Sequence, residues 1–104
     1  MDPLPADVAL KDANGVWQIK CDITNPNLPA LEKWGRGPAL ESHGDVVLDL
    51  SLVRMLDSSG VGLMLVLVKG ARAKGGKLIL RNANELIRNV LKLTAMDRLL
   101  VIEP

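Results

Sequence analysis

The residues of this chain that are best suited to chemistry form one short segment, Asp57-Ser58-Ser59-Gly60. It lies between an apolar run at residues 46–50 and a longer one at residues 61–68. Aspartate and serine are preferred N-caps, because their side-chain oxygens accept hydrogen bonds from the free N–H groups of a helix's first turn. A helix N-terminus also stabilises a nearby phosphate, so a serine there can be phosphorylated without loss of the helix. Local physics alone favours capping by Ser58, with Asp57 or Ser59 as the alternative caps, and capping is compatible with modification.

Catalysis and metal binding find little support in the other residues. His43 is the only histidine, and it could in principle act as a base for Ser58 or Cys21. The sequence nevertheless has no triad order and no nucleophile elbow. With one histidine and one cysteine, a zinc site is not expected. The glycines Gly60 and Gly62 lack the third glycine of a dinucleotide loop and the lysine of a P-loop. We therefore predict a protein that is not an enzyme and has no cofactor or metal.

Composition sets the class of protein and excludes some partners. The 104 residues fit one domain spanning residues 1–104, in which residues 1–6 form a loose tail. With two Trp and no Phe or Tyr, the core must be aliphatic, and the stacking platforms for single-stranded nucleic acid are missing. The net charge of +1 gives no general attraction to nucleic acid or to anionic membranes. The single cysteine, the lack of a signal peptide and the short apolar runs predict a cytoplasmic protein that does not insert into a membrane.

Hydrophobic patterns predict alternating strands and helices. Strands are expected at residues 8–11, 16–20, 46–50, 77–81 and 99–102, and a hairpin turn at residues 12–15. Helices are expected from Pro26 to about Trp34, over residues 58–74, and after an N-cap at Asn84. The order β-β-α-β-α-β-α-β predicts an α/β fold whose mixed sheet has an N-terminal hairpin, a parallel βαβ part and helices packed against it. The expected core includes Leu48, Leu65, Ile79 and Leu91.

Residues 46–102 resemble STAS domains, and specifically the bacterial anti-sigma factor antagonists (anti-anti-sigma factors). The first matching block is Val-Leu-Asp-Leu-Ser at 47–51 followed by Asp-Ser-Ser-Gly-Val-Gly-Leu at 57–63. The other two are Ala-Lys-Gly-Gly-Lys-Leu at 73–78 and Val-Leu-Lys-Leu-Thr-Ala-Met-Asp at 90–97. The resemblance implies the STAS fold, and the N-terminal hairpin fits it more loosely.

The resemblance also implies a phosphorylation switch. In this family the serine after the aspartate, here Ser58, is phosphorylated by an ATP-dependent serine kinase of the histidine-kinase-like fold, often the anti-sigma factor itself. The unphosphorylated domain binds that partner, phosphorylation releases it, and a phosphatase resets the domain. On this reading Ser59 and Gly60 open the helix, and Gly62 lets it pack closely. The expected partner-binding residues are Asp57, Ser58, Ser59, Gly60, Thr24, Met55 and Leu56.

Three departures from the family pattern bear on this reading: the first concerns the kinase contact, and the other two support a second reading. Thr24 stands near the position of a usual acidic residue, and residues 34–38 interrupt the first predicted helix. The chain stops soon after the last strand, so the face that the family's additional C-terminal helix covers is expected to be exposed or covered by another chain. The alternative is a constitutive STAS assembly subunit of a phospholipid-transport ABC complex or a stressosome-like scaffold. A homodimer or a larger assembly remains open.

Overall fold

The computed structural model of the protein describes residues 8–41 and 44–104. The predicted tail at residues 1–6 and the loop residue His43 lie outside the described residues. The strands are β1 (Ala9–Lys11), β2 (Trp17–Ile19), β3 (Val46–Asp49), β4 (Leu78–Arg81) and β5 (Val101–Ile102). The α-helices are α1 (Leu28–Arg36), α2 (Ser58–Ala73) and α3 (Glu85–Leu93). Short 3₁₀ turns lie at Asn25–Asn27, Pro38–Leu40 and Met96–Arg98.

The five strands form one mixed sheet in the order β1-β2-β3-β4-β5. The β1–β2 pair is antiparallel, and the three other pairs are parallel. The hairpin turn is held by Asp12, whose Oδ1 accepts hydrogen bonds from the N–H groups of Asn14 and Val16 at 2.8 and 3.0 Å. The predicted fold class, a hairpin followed by parallel βαβ units, is confirmed.

The three helices lie on one face of the sheet. Each parallel connection moves one strand further in the same direction, and right-handed crossovers then place every connecting helix on the same side. The burial of the strands agrees, because Val46, Leu48, Leu78 and Leu80 are at most 3% exposed and belong to one continuous core. The residues between them along β3 and β4 are less buried. The site and the core are therefore built on one side of the sheet.

Helix α1 runs further than the sequence suggested. It was expected to end at about Trp34, but it continues through Gly35 and ends before Gly37. Gly35 lies where α1 approaches α2, since a Cβ atom there would be 3.1 Å from Cδ1 of Leu63. The absence of a side chain at Gly35 therefore leaves room for Leu63 between the two helices.

Two tryptophans join the hairpin to the helices. Trp34 of α1 is fully buried, and its ring lies edge-on to that of Trp17 with 5.6 Å between centroids and 75° between planes. Edge-to-face packing is a favoured arrangement of aromatic rings. The indole N–H of Trp34 has no hydrogen-bond partner within the described part of the chain. The two tryptophans therefore interact through ring packing and burial of apolar surface.

The predicted core is half right. Leu48 and Leu91 are fully buried, as expected, but Leu65 and Ile79 are only partly buried. On β4 three apolar residues follow one another, so the sequence does not reveal which of them faces the helices. Helix α2 is apolar on nearly every side, and its buried face is instead formed by Leu63, Met64, Leu67 and Val68.

We expect Leu80→Ala to lower the free energy of unfolding by about 2–5 kcal/mol, because it leaves a cavity in the core. Ile79→Ala, one residue away on the same strand, is the matched control and should cost about 1 kcal/mol. Urea denaturation of both variants measures the difference. Equal losses would contradict the assignment of Ile79 to the outer face of the sheet.

Candidate functional site

The site is organised by the carboxylate of Asp57, which bonds two segments at once. Its Oδ1 accepts a hydrogen bond from the N–H of Gly60 at 2.9 Å and so caps α2. Its Oδ2 accepts a hydrogen bond from the N–H of Asn25 at 2.9 Å, across 32 residues of sequence. Asp57 has an extended backbone with φ −99° and ψ −176°, which is the ordinary conformation of an N-cap. One side chain therefore fixes both the start of α2 and the loop that precedes α1.

These hydrogen bonds keep Asp57 ionised. The N–H of Gly60 first and the N–H of Asn25 second lower the pKa of the Asp57 carboxyl below its ordinary value, against a smaller opposing effect of desolvation. A carboxylate that accepts backbone N–H groups is stabilised in its charged form. The start of α2 therefore carries a fixed negative charge beside Ser58 at neutral pH.

The loop before α1 lies directly against the segment that leads into α2. The N–H of Ile23 donates to the carbonyl of Met55 at 3.0 Å, and the carbonyl of Ile23 accepts from the N–H of Asp57 at 3.3 Å. Ile23 and Leu56 form an isolated parallel bridge. The backbones are thus paired for a short distance at the carboxyl end of the β3 region.

This pairing explains the glycine at position 60. A Cβ atom on Gly60 would clash with the carbonyl of Ile23 and would lie 2.5 Å from Cδ1 of Leu56. By contrast Gly62, which was expected to allow close packing, is exposed and has no atom within 4 Å of the position of a Cβ. That expectation was wrong, because position 62 lies on the outer side of α2. The close approach takes place at Gly60.

Ser58 is the first residue of α2, and it is exposed. The expectation that Ser58 caps the helix is wrong, and of the two alternatives Asp57 is the cap, since it occupies the cap position and supplies the capping oxygen. Within residues 8–41 and 44–104, no hydrogen bond of the Ser58 hydroxyl is found. Ser59 is partly buried. The Ser58 hydroxyl therefore has no evident structural task.

The remaining predicted partner-binding residues differ in exposure. Met55 is 50% exposed beside the paired loops, and Leu52 in the same connection is 53% exposed. Leu56 is buried, so it supports the site from below and does not present an apolar surface. Thr24 is partly buried and precedes the 3₁₀ turn at Asn25–Asn27 without a capping bond from its side chain.

Three polar residues help to build the site, and none of them was assigned to it from the sequence. Asp22 accepts a hydrogen bond from the N–H of Arg54 at 2.8 Å and also forms an ion pair of 3.3 Å with its guanidinium group. Asn84, which was predicted only as the cap of α3, also donates from Nδ2 to the carbonyl of Arg54 at 3.1 Å. Asn25 supplies the N–H that Asp57 binds. These partners are 30 or 32 residues apart, so no local pattern could have identified them.

Neither a metal site nor a membrane span is found in the part of the chain that the structure describes. No group of three or more His, Cys, Asp or Glu side chains there could hold a metal ion. None of the described helices combines the length and the apolar character needed to cross a bilayer.

The two glycines of α2 give a matched pair of stability tests. We expect Gly60→Ala to lower the free energy of unfolding by about 1–3 kcal/mol, because the added methyl group overlaps the Ile23 carbonyl. Gly62→Ala should raise it by about 0.5–1 kcal/mol, since alanine is the better helix former at an exposed position. Thermal unfolding followed by circular dichroism measures both. Stabilisation by Gly60→Ala would contradict the close approach described above.

The lowered pKa of Asp57 predicts a pH-dependent contribution to stability. The ionised carboxylate stabilises the fold fully above the unfolded-state pKa of about 3.9, and this contribution is lost as the pH falls through the lower folded-state pKa. The difference in melting temperature between the native chain and Asp57→Asn should therefore shrink on acidification below about pH 4. Asp97→Asn removes the same charge from an exposed side chain and is the control. Parallel pH profiles of the native chain and Asp57→Asn would refute the role of this carboxylate.

Comparison with known proteins identifies the family. The chain matches the STAS_2 family model, described as Mlab, STAS domain, over residues 6–102. The fold is similar to the crystal structure of TM1081 from Thermotoga maritima, a candidate anti-sigma factor antagonist, with a TM-score of 0.68 and 23% identity over 90% of this chain and 82% of that one. The NMR structure of TM1081 gives a TM-score of 0.72 and 25% identity over 91% of this chain and 78% of that one. The structure of unphosphorylated SpoIIAA, an anti-sigma factor antagonist, gives a TM-score of 0.68 and 19% identity. That match covers 86% of this chain and 78% of SpoIIAA. The chain, with its mixed sheet, helices on one face and Asp57-capped second helix, belongs to the STAS_2 family of STAS domains.

Proposed function

We propose that this chain is a phosphorylatable anti-sigma factor antagonist that works as a single STAS domain. In its unphosphorylated form it binds a serine kinase that is also an anti-sigma factor, and it releases this partner when Ser58 is phosphorylated. The observation that carries the proposal is that Asp57, and not Ser58, caps the start of α2. Asp57 performs the capping, so the exposed Ser58 hydroxyl is left available to a partner.

The docking face of this proposal consists of Thr24, Met55, Ser58 and Ser59, with Asp57 between them. Gly60 and Leu56 lie beneath it, where they keep the two loops in contact. The half-exposed Met55 side chain offers an apolar contact next to the acceptor hydroxyl. A flexible methionine surface adapts readily to a protein partner.

Phosphorylation would change this face by charge. A phosphate adds about −1.5 to −2 charges at neutral pH. The first turn of α2 tolerates an anion, because its N–H groups and helix dipole are positive there. The phosphate would nevertheless lie beside the ionised Asp57, so a partner surface complementary to the hydroxyl would meet a concentrated negative charge. The fold is kept while the partner is released.

The chemistry of the switch belongs to its partners. A kinase of the histidine-kinase-like fold supplies ATP and its metal ion, and a phosphatase removes the phosphate. The chain itself is a substrate and a binding protein, and we place it in the cytoplasm with its kinase. Neither nucleic acid nor membrane insertion has a part in this function.

Phosphorylation can be tested directly by intact-mass spectrometry. After incubation with ATP, Mg²⁺ and the cognate serine kinase, we expect the protein to gain one phosphate. Ser58→Ala should abolish the gain, whereas Ser59→Ala, which removes the neighbouring hydroxyl, should retain it. Ser58→Ala should also change the free energy of unfolding by less than about 0.5 kcal/mol, since Ser58 is exposed and not the cap. Loss of the phosphate in Ser59→Ala alone, or no phosphate with the cognate kinase, would refute the proposal.

The second candidate is a constitutive assembly subunit, of a phospholipid-transport ABC complex or of a stressosome-like scaffold. The match to the family model described as Mlab favours it. Here Asp57 and Gly60 have purely structural roles and Ser58 is not modified. Stable co-purification with a transporter ATPase that is unaffected by Ser58→Asp would support this candidate over the first. Loss of the complex in Ser58→Asp would instead support the switch.

A further inference from the structure

The second face of the sheet carries a feature that the proposed function does not use. All the crossover helices lie on one side, so alternate residues of the parallel strands point away from them. Parallel sheets are normally covered on both faces, because their strands are apolar on both sides. Here Val47 and Ile79 are only partly buried, and Val101 is 39% exposed. The outer face of the parallel strands is therefore an apolar surface without a covering layer from the described helices.

The register of the strands arranges this surface in a continuous row. Val47 of β3 lies beside Ile79 of β4, and Ile79 lies beside Val101 of β5. We call these three residues the apolar row. It crosses β3, β4 and β5 at right angles to the strands. Leu10, at the far edge of the same face, is 55% exposed.

Charged residues of both signs flank the apolar row in an ordered way. On one side Asp49 of β3 pairs in register with Arg81 of β4, and Arg81 also contacts Glu103 at 2.6 Å. On the other side Asp45 precedes β3 and Lys77 precedes β4, and the N–H of Lys77 donates to Asp45 at 2.9 Å. At both ends of the strands, the residue beside the apolar row is therefore acidic on β3 and basic on β4.

We propose that this face binds a second copy of the chain around a two-fold axis that runs parallel to the strands, between β3 and β4. This axis places β3 of each copy over β4 of the other. Val47 then lies opposite Ile79, Asp45 opposite Lys77, and Asp49 opposite Arg81. A surface that meets itself must be self-complementary, and this pattern satisfies that condition in every row.

The charges select this axis over its alternative. A two-fold axis along the apolar row would set Asp45 against Asp49 and Lys77 against Arg81, and like charges facing each other destabilise an interface. The axis between β3 and β4 makes every one of these contacts attractive. Face-to-face packing of two sheets at about 10 Å is also an ordinary way to bury such rows.

The expected dimer is weak and depends on concentration. Stable dimers bury about 800 Å² on each partner. The strands that carry the apolar row are only 4, 4 and 2 residues long, so we expect a smaller contact than this and dissociation in the micromolar to millimolar range. The inference does not depend on Ser58, because neither the axis nor the apolar row involves α2.

Sedimentation equilibrium over a concentration series measures the association, with circular dichroism as the check that each variant is folded. We expect the native chain to reach the dimer mass at high concentration. Ile79→Lys should weaken the dimer by more than about tenfold, because it places a charge in the apolar row. Leu93→Lys adds the same charge at an 87% exposed position on α3 and should leave association unchanged. If Ile79→Lys does not fold, Val101→Thr serves as the milder change and should weaken the dimer several-fold.

Charge reversal tests the position of the axis itself. Asp45→Lys and Lys77→Glu should each weaken self-association, since each sets like charges opposite each other, whereas Lys69→Glu on α2 should not. Mixing the Asp45→Lys and Lys77→Glu chains should restore association, because every opposed pair in the mixed dimer then combines one acid with one base. A native chain that stays monomeric throughout, or a mixture that associates no better than its components, overturns the proposal.

Discussion

The structure depends on one carboxylate that is shared between two backbones. Asp57 accepts the N–H of Gly60 at the start of α2 and the N–H of Asn25 before α1. Together with the short backbone pairing at Ile23 and the contact of Asp22 with Arg54, this bridge joins the loop before α1 to the segment leading into α2. Because the carboxylate satisfies the helix, the hydroxyl next to it is left unused. The same interaction therefore fixes the local fold and leaves Ser58 available.

The direction in which the sheet is built has two consequences. Adding each parallel strand on the same side, with right-handed crossovers, collects the helices on one face and places the start of α2 at the carboxyl end of β3. Loops at the carboxyl ends of parallel strands are where α/β proteins commonly place their binding sites. None of the helices α1, α2 and α3 covers the other face, which carries the apolar row. One topological rule thus accounts both for the site and for the uncovered surface.

Local sequence signals were reliable where a residue acts on its own neighbours. The hairpin turn, the strand and helix order, and the cap at Asn84 were all predicted correctly, because each depends on contacts within a few residues. The predictions that failed required a choice between neighbours of the same type. Leu78, Ile79 and Leu80 are equally apolar, and Asp57 and Ser58 are both good caps. Gly60 and Gly62 differ only in which side of the helix they face.

Hydrophobic periodicity, turn residues and the Asp-Ser-Ser-Gly segment are local properties of the chain, and they were enough to predict the fold class and the family and to select the segment of the candidate site. The contacts that each residue of that segment makes became visible in the folded chain alone. The bonds of Asp57 to Asn25 and of Asp22 to Arg54 each span 32 residues, and the clash that forbids a side chain at Gly60 comes from Ile23. Such contacts exist only after the chain has brought distant segments together, because no property of either segment alone specifies its partner.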